Sequence, residues 1–543
     1  MFKLEISLKR VQTFIFEVPR LKAMLGANAL IGQTVRHELS ALIKDKGKKL
    51  EWPANIVPQR LQDPLDATPD LADRDDPAAL YAKGILARDG GHFIAVFEKE
   101  EEAREFLHTA ETTLAERLPG VLYDASPPPE KQERQEEKRV RQEITPLETA
   151  LLGLPVLQVC QGTGAAPASD PNPNEKDRWQ ARSVTHREDW GDGFYAGKTK
   201  DIIGLLRPAL YPDKERNWTE PDDFDQLADG GYLALIHADG NGIGKRYKDH
   251  CDEWKKQEST QESTRDAVTD AVAQEAHGEA FFHSMRVAVR RAVVDALKQT
   301  FTTPGGRRPY EVLMLGGDDL LLICRADRAL DFAQNYATEL KKYELTDGPS
   351  LDVAIGVAIA QKSYPLHRLQ ELAEGLASSA KRLYRAPNNQ DKTSVIDWQV
   401  VTQSWFEGVA EARQQSERVA YTIDGQTETL LLSRRPYRVL GENGLEGLLN
   451  AARRLAGSGQ GEDKDKDKTA RSPLRSLRGA CERGRLMGEM VFKRLPDDIQ
   501  SALGGKGAKL WQALESDGQS IYATRVLDII GISEIARLGR KKP

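Results

Sequence analysis

Residues 311–324 read EVLMLGGDDLLLIC, two apolar segments joined by a Gly-Gly-Asp-Asp turn. Glycine and aspartate favour turns, and short apolar runs bounded by turn residues are typical of buried strands, so the pattern predicts a β-hairpin. Residues 232–244 read YLALIHADGNGIG, an apolar run that leads into Asp239 and a glycine-rich turn. We therefore expect Asp239, Asp318 and Asp319 each to lie next to the end of a buried strand.

Helix and strand patterns flank these two stretches. After a strand over Tyr232–His237 we expect a long helix, the hairpin, a helix, a strand, a second helix and a last strand. Their predicted bounds are Thr264–Thr300, Glu311–Leu315 with Asp318–Cys324, Ala329–Tyr343, Leu351–Ala360, Leu366–Leu383 and Thr393–Asp397. This βαββαβαβ order is that of a ferredoxin-like sheet, in which the first strand lies beside the hairpin.

The N-terminal part of the chain repeats this order. Residues 2–8 alternate between apolar and polar, which predicts a half-buried strand. A helical stretch follows over Val11–Ile43, with interruptions near Pro19 and at Gly26. A Gly-Gly hairpin at residues 89–91 and a helix over Glu100–Leu118 come next. The shared order is consistent with a diverged internal duplication.

These patterns predict an α+β protein with two ferredoxin-like domains, a connecting region and a C-terminal helical domain. In that order the predicted bounds of the domains are residues 1–126 for the first ferredoxin-like domain, 127–230 for the connector, 231–400 for the second ferredoxin-like domain and 401–543 for the helical domain. Three consecutive prolines from Pro127 and a charged run mark the first boundary.

Composition excludes several classes of protein. The chain has 543 residues, of which 39% are hydrophobic and 29% charged, with a net charge of −6. That is enough apolar material for packed cores and too much for a disordered chain. The four cysteines are too far apart for a CxxC metal knuckle or a disulfide framework. No apolar run of about 18 residues occurs, so we expect a cytoplasmic protein without a membrane partner.

Three carboxylates carry the predicted chemistry. Because the first strand and the hairpin are neighbours in the sheet, Asp239, Asp318 and Asp319 can converge at one edge. Hard divalent cations take oxygen ligands, and two Mg²⁺ or Mn²⁺ ions about 3.5–4 Å apart promote hydroxyl attack on a phosphate. The nearby glycines leave space where a triphosphate must approach the backbone: Gly240, Gly242, Gly316 and Gly317. The set predicts a nucleotidyl-transfer site.

Each motif also has an ordinary structural interpretation. Gly-Gly-Asp-Asp by itself is typical of a hairpin turn, and Asp-Gly-Asn-Gly is typical of a surface turn or a broken Ca²⁺ loop. Their pairing at the ends of two apolar strands, in the order of a single ferredoxin-like unit, favours the catalytic interpretation.

Four short motifs occur in the order seen in the palm domains of the GGDEF cyclase superfamily: Asp239-Gly-Asn-Gly, Gly316-Gly-Asp-Asp, Ile355-Gly-Val-Ala and Ala380-Lys381. With a second palm-like unit upstream, the Gly-Gly-Asp-Asp variant resembles the CRISPR polymerase/cyclase family, the large subunit of type III CRISPR complexes. Val11-Gln-Thr-Phe-Ile and the later Leu25-Gly-Ala-Asn are similar to the segment that opens that family's first palm. The resemblance covers about residues 1–400 in outline and is specific at the second palm.

The resemblance implies an enzyme that converts ATP into a cyclic oligoadenylate, a second messenger that activates a downstream effector in antiviral defence. It implies that Asp239, Asp318 and Asp319 hold two Mg²⁺ or Mn²⁺ ions. The two hairpin glycines, Gly316 and Gly317, would admit the triphosphate. Other subunits of a type III CRISPR complex, with guide and target RNA, are the implied partners.

The resemblance also implies two nucleotide-binding residues on helices. Lys381 matches the palm lysine that contacts phosphate, and Ser284 lies on the long helix from which it would reach the base. Both have plain alternatives, because an amphipathic helix usually carries solvated cations and helix serines are common.

Departures from the family pattern restrict the expected activity. None of the nine histidines is followed by aspartate, so DNA cleavage by a His-Asp site is not expected. Cys160 is the one cysteine in the region of the family's zinc-binding insertion, which predicts a degenerate connector without zinc. The first hairpin, Asp89-Gly90-Gly91-His92, lacks paired carboxylates. The first palm is therefore expected to be non-catalytic, either binding a nucleotide or supporting the second palm.

Two other functions stay open at this point. The chain could be an RNA-binding scaffold subunit of a type III CRISPR effector complex, or a cyclase that makes a cyclic dinucleotide from another purine nucleotide. The intact set of carboxylates argues against a pure scaffold, because clustered carboxylates without a metal repel one another. A homo-oligomer is a further option.

Overall fold

The computed structural model describes most of the chain. The described residues are 2–44, 46–53, 56, 62–126, 158–163, 167–171, 178–228, 231–260, 267–387, 392–401, 408–423, 426–457, 464–504, 509–514 and 520–538. The start of the predicted connector, residues 127–157, lies outside them.

The N-terminal unit, the first palm, contains a four-stranded antiparallel sheet. Its elements are β1 (Phe2–Lys9), α1 (Val11–Phe16), α2 (Leu21–Gln33), α3 (Leu39–Ile43), α4 (Pro77–Tyr81), β2 (Ile85–Ala87), β3 (His92–Phe97), α5 (Glu100–Arg117) and β4 (Leu122–Ser126). The strand order β2-β3-β1-β4 is the ferredoxin-like order that the sequence predicts. Alternate residues of β1 place Leu4, Ile6 and Leu8 in the core.

The described part of the connector packs on the first palm. Its elements are β5 (Asp170–Pro171), β6 (Trp179–Gln180), α6 (Arg182–Tyr195), α7 (Ile202–Leu210), α8 (Asp213–Arg216) and α9 (Phe224–Leu227). Helices α2 and α6 cross at two glycines. A Cβ on Gly26 would lie 1.8 Å from the carbonyl oxygen of Arg187, and one on Gly191 would lie 2.4 Å from the carbonyl oxygen of Lys22. The predicted interruption at Gly26 is therefore wrong: α2 is continuous there, and the glycine allows the two backbones to touch.

The second palm contains the largest sheet. Its elements are β7 (Tyr232–Gly240), α10 (Ile243–Thr260), α11 (Ala267–Thr300), β8 (Tyr310–Leu315), β9 (Leu320–Arg325), α12 (Ala329–Leu340), β10 (Val353–Gln361), α13 (Leu366–Arg385) and β11 (Val395–Val400). The strand order is β11-β10-β7-β9-β8, with the short strand Tyr437–Arg438 beside β11. Strands β10, β7, β9 and β8 form the predicted ferredoxin-like core, and β11 adds parallel to β10.

Two local features of the second palm differ from the sequence-based expectation. Helix α10 begins at Ile243, directly after the glycine-rich turn, where no helix was predicted. Strand β9 begins at Leu320, so Asp318 and Asp319 belong to the hairpin turn and not to the strand. Gly356 in β10 has a packing role, because a Cβ there would lie 2.0 Å from the carbonyl oxygen of Ala373 in α13.

The C-terminal region is rich in helices, as predicted, and also contains a four-stranded sheet that the sequence did not reveal. Its elements are α14 (Val409–Ser416), β12 (Arg418–Ile423), β13 (Gln426–Leu431), β14 (Tyr437–Arg438), α15 (Leu445–Gly457), α16 (Lys464–Glu482), α17 (Arg485–Lys493), α18 (Asp497–Gly504), β15 (Gln512–Leu514), β16 (Ser520–Ala523) and α19 (Val526–Ile535). The sheet order β12-β13-β16-β15 joins strands far apart in the chain. Within the described residues, no helix has the length and apolarity that crossing a membrane requires.

Candidate active site

Three carboxylates meet where β7 ends and the β8–β9 hairpin turns. Strands β7 and β9 are antiparallel neighbours in which Ala238 pairs with Leu320, so Asp239 lies beside Asp319. One carboxylate oxygen from each of Asp239, Asp318 and Asp319 lies within 4.8 Å of the other two. The structure therefore brings together the three residues that strand order predicted would converge.

The surroundings of this cluster disfavour negative charge. Burial and the neighbouring Asp239 carboxylate raise the pKa of Asp318. Burial and the charges of Asp318 and Asp239 raise the pKa of Asp319 to about 7. A cation relieves this repulsion, and carboxylate oxygens are the ligands that Mg²⁺ and Mn²⁺ prefer. The donor set therefore fits divalent metal ions, with these three side chains as the ligands.

Lys381, on α13, lies at the same cluster. Its ammonium group donates a hydrogen bond to Oδ2 of Asp239. Both side chains are partly exposed, at 21% for Lys381 and 28% for Asp239. The sequence predicts a phosphate contact for Lys381, whereas its partner in the structure is a carboxylate. A metal ion at Asp239 would compete with this ammonium group.

Two glycines shape the turn that follows Asp239. A Cβ on Gly240 would lie 2.8 Å from both Cβ and Oδ2 of Asp318. Gly242 has a φ of +71°, in the left-handed region that favours glycine. Gly240 therefore allows the hairpin to approach β7, and Gly242 allows the chain to turn into α10.

Gly240→Ala is expected to push Asp318 out of place and to reduce Mn²⁺ affinity by about 10- to 100-fold, the usual cost of disturbing a group that positions a metal ligand. Gly244→Ala is the matched control, because a Cβ at Gly244 has no atom within 4 Å. Titration of both variants with Mn²⁺ makes the comparison. Equal behaviour of the two variants would show that the close approach at Gly240 does not matter.

The hairpin glycines face a cavity. The amide of Gly316 donates to the carbonyl oxygen of Asp319 at 2.8 Å, which closes the turn. A Cβ on Gly317 would lie 3.3 Å from Cε of Met285 on α11. A side chain at Gly317 would therefore crowd the space between the hairpin and α11.

This cavity, of about 1080 Å³, lies between the two palms. Both Gly-Gly hairpins line it, with residues 89–91 from the first palm and residues 316–319 from the second. Helices α11 and α13 complete the wall with Glu279 and Glu374 among others. This volume is slightly larger than the roughly 300–1,000 Å³ typical of small-molecule sites. The cavity has room for a large ligand or for two smaller ones.

Several residues of this cavity were not identified from the sequence. Tyr247 and Phe282 stack with ring centroids 4.8 Å apart, and together with Met285 they form an apolar wall. Such residues resemble the core face of any amphipathic helix, so no sequence signal distinguishes them. Gln370 on α13 donates to Oε1 of Gln12 at 3.0 Å and joins the two palms. The Val-Gln motif at the start of α1 was the signal that could have placed Gln12 here.

Ser284 does not lie with the other predicted site residues. Its side chain is buried. The hydroxyl donates to the carbonyl oxygen of Phe281 at 2.7 Å and accepts from the amide of Thr346 at 3.2 Å. Ser284 thus holds the loop before β10 and does not line the cavity between the palms.

The first-palm hairpin carries a different charge pattern. The carboxylate of Asp89 accepts a hydrogen bond from Nη1 of Arg36 at 2.5 Å and lies 4.0 Å from Nε of Arg286. Two guanidinium groups therefore neutralise Asp89, in contrast to the clustered carboxylates of the second palm. This difference is consistent with a first palm that does not bind catalytic metal.

A buried ion network ties the palms together. Arg286, on α11, donates to the two oxygens of Asp75 at 2.9 and 3.2 Å and to Glu279 at 2.5 Å. Arg290 lies 2.6 Å from Asp63 and 2.9 Å from Asp75. Asp63 and Asp75 belong to the segment between α3 and α4, so the network holds α11 of the second palm against the first.

Divalent cations are expected to stabilise the folded chain more at about pH 8 than at about pH 6. The folded Asp319 keeps its proton up to about pH 7, whereas the unfolded one loses it near 3.8. Between these values the metal-free folded state binds more protons, so its free energy of unfolding falls as pH rises. A cation binds the deprotonated carboxylate and offsets this loss above pH 7.

Thermal unfolding in Mg²⁺ and in EDTA at the two pH values measures this effect. Asp319→Asn is the control and should lose most of the pH-dependent part of the cation shift. An Mg²⁺-induced shift of the same size at both pH values would contradict the prediction.

Residues 232–390 match the family model for Cas10/Cmr2, second palm domain. The matched residues include Asp239, the Gly-Gly-Asp-Asp hairpin and Lys381. No curated protein sequence is significantly similar to the chain.

Solved structures with the same fold are Csm1-Csm4 cassettes. The structure in complex with cA3 aligns with a TM-score of 0.50 and 14% identity, covering 99% of this chain and 70% of that chain. The complex with one ATP gives a TM-score of 0.50, 13% identity and the same coverage. The complex with pppApApA gives a TM-score of 0.50 and 13% identity, with coverage of 99% and 69%. The family match confirms the resemblance at the second palm: residues 232–390 contain a Cas10/Cmr2 second palm domain, within a chain whose fold is similar to that of the Csm1-Csm4 structures.

Proposed function

We propose that this protein is a nucleotidyltransferase that joins ATP molecules into a cyclic oligoadenylate-type product in the cavity between its palms. The observation that carries the proposal is that Asp318 and Asp319 face the same cavity as the Gly-Gly hairpin of the first palm. The Csm1-Csm4 cassettes of similar fold are complexes with ATP, pppApApA and cA3, which supports this class of substrate and product.

The second palm would supply the metal site. Asp239, Asp318 and Asp319 would hold divalent ions, which when bound activate the attacking hydroxyl and stabilise charge on the leaving pyrophosphate. The hairpin glycines, Gly316 and Gly317, leave the backbone open to the triphosphate. The wall formed by Tyr247, Phe282 and Met285 would pack against a base.

The proposed reaction needs two nucleotides that face each other. The 3′-hydroxyl oxygen of one ATP bonds to the α-phosphorus of the second, and the bond from that phosphorus to the β-phosphate bridging oxygen breaks. Pyrophosphate leaves, and the hydroxyl proton is lost to solvent. Holding both reactants in one cavity supplies much of the rate, because it converts an encounter in solution into a step within the complex. A cavity shared by two palms, with carboxylates clustered on one side, fits that requirement.

The chain is also proposed to assemble with other subunits of a type III CRISPR complex. The similar solved structures are cassettes of Csm1 with Csm4, so a partner subunit of that kind is the first expectation. The cyclic product would then act on a separate effector protein that responds to the messenger.

Incubation of the purified full chain with labelled ATP or GTP tests the proposal. Mg²⁺ and Mn²⁺ are compared, with and without a guide–target RNA duplex, and the products are identified by mass spectrometry. A cyclic adenylate made from ATP is the expected result. Product from GTP but not from ATP would show that the substrate is another purine nucleotide. No product under any condition would favour the scaffold function.

A further inference from the structure

The cavity between the palms is acidic, although it is proposed to bind triphosphates. Eight Asp and Glu residues line it, against five Lys and Arg residues. Four of these five cations already bind protein groups: Lys3 pairs with Glu275, Arg36 with Asp89, Arg286 with Asp75, and Arg88 with backbone carbonyl oxygens. An anionic ligand therefore has few free cations to meet there.

Arg10 is the fifth cation. It lies at the junction of β1 and α1, on the cavity wall, and its side chain is exposed. Among the described residues its guanidinium group has no hydrogen bond and no ion pair. Its backbone has φ 53° and ψ 38°, in the left-handed region that residues with a Cβ rarely adopt. Strained residues of this kind cluster at ligand sites, where the surrounding structure holds them in place.

The position of Arg10 in the first palm corresponds to that of the turn after Asp239 in the second. In each palm the first strand of the sheet leads through this turn into a helix, and the same strand pairs with the second strand of the Gly-Gly hairpin. The amide of Leu8 donates to the carbonyl oxygen of Gly91 at 2.8 Å, which places Arg10 beside the first hairpin. The counterpart of Arg10 is Gly242, since each residue has a positive φ and directly precedes the helix. The first palm thus has a guanidinium group at a turn where the second has no side chain.

We infer that Arg10 binds a phosphate group of a nucleoside triphosphate held by the first palm. In the first palm its positive charge would attract phosphate oxygens, as metal ions held by the carboxylates would in the second palm. A guanidinium group is always charged and presents a planar pair of donors that matches phosphate oxygens. The inference rests on the proposed function and adds a contact that does not depend on metal.

Calorimetric titration of the full chain with ATP and with adenosine, both in EDTA, isolates this contact. Arg10→Gly is the informative variant, because glycine adopts the left-handed backbone freely and the fold should be kept, as thermal unfolding will check. ATP affinity should fall about 10- to 100-fold in Arg10→Gly, the range of a charge-assisted hydrogen bond. Adenosine affinity should not change. Arg10→Lys keeps the charge without the planar donor pair, so its ATP affinity should fall less than that of Arg10→Gly.

Unchanged ATP affinity in Arg10→Gly would overturn the inference. An equal loss of affinity for ATP and for adenosine would also overturn it, as would wild-type protein that binds no ATP in EDTA.

A parallel turnover assay in Mg²⁺ separates this result from the proposed function. If wild-type protein forms no product while its ATP affinity still depends on Arg10, nucleotidyl transfer fails and the Arg10 contact stands. If product forms and Arg10→Gly leaves KM for ATP unchanged, the Arg10 contact fails and nucleotidyl transfer stands.

Discussion

Changing Asp318 and Asp319 together to Asn is expected to abolish product formation from ATP while the chain stays folded. The variant keeps the shape of the hairpin and loses Asp318 and Asp319, the two proposed metal ligands that line the cavity. Metal ions stabilise the transition-state charge by several kcal/mol, so a loss of at least about a thousandfold in turnover is expected. Because the two partly buried carboxylates repel each other, the melting temperature in EDTA should be unchanged or higher.

Product analysis from labelled ATP with Mg²⁺, together with thermal unfolding in EDTA, measures both parts of this prediction. The matched control is the double change Asp497→Asn and Asp498→Asn, an exposed Asp-Asp pair at the start of α18. That control should keep full activity. Activity that survives in the hairpin variant would place the chemistry outside this cluster.

Arg286→Met is expected to reduce the free energy of unfolding by about 3–5 kcal/mol, the typical cost of breaking a buried ion pair from one side. The substitution keeps most of the side-chain volume but leaves Asp75 and Glu279 buried without the guanidinium group that bonds to both. Asp75 belongs to the first palm and Arg286 to the second, so the loss should also loosen the contact between the palms.

Denaturant unfolding of the wild type and the variant gives the size of the effect. Arg478→Met is the control, since the Arg478–Glu482 pair is exposed at 59% and 50% and such pairs contribute about 0–1 kcal/mol. Arg286→Lys keeps the charge but not the forked geometry of the guanidinium group. Its loss in the free energy of unfolding should lie between those of Arg286→Met and Arg478→Met. Similar unfolding curves for Arg286→Met and Arg478→Met would show that the network does not stabilise the fold.

The order of the elements in the second palm was predictable because its signals are local. Apolar runs such as Tyr232–His237 predict strands, and the Gly-Gly-Asp-Asp turn predicts a hairpin, each from a few neighbouring residues. Non-local features were missed. The C-terminal sheet pairs β13 with β16, about ninety residues later in the chain, and neither strand is long enough to stand out. The continuity of α2 through Gly26 depends on the backbone of α6, which no local pattern shows.

The residues of the candidate site also fall into two groups, those that local sequence patterns predict and those whose position depends on packing. Asp239, Asp318 and Asp319 were found because carboxylates at strand ends are visible in the sequence and strand order brings them together. Ser284 has the right position along its helix, but its hydroxyl faces the loop at Thr346 instead of the cavity. Which face of a helix turns to a ligand depends on what packs against it. Whether Arg10 has a partner among the described residues likewise depends on where the other charged groups of the fold lie.

The sequence alone was sufficient to predict the three clustered carboxylates and the local order of the elements that carry them, since periodicity, turn residues and strand order are carried by neighbouring positions. The tertiary structure was needed to show that both Gly-Gly hairpins open on one cavity and that Arg36 neutralises Asp89. It was also needed to show that the guanidinium group of Arg10, on the wall of that cavity, has no hydrogen bond and no ion pair within the part of the chain that the structure describes. These facts depend on contacts between residues tens to hundreds of positions apart, and such contacts form only when the two palms pack together. Burial then sets the charge: the pKa of Asp319 rises to about 7 because the fold removes water and gathers three carboxylates.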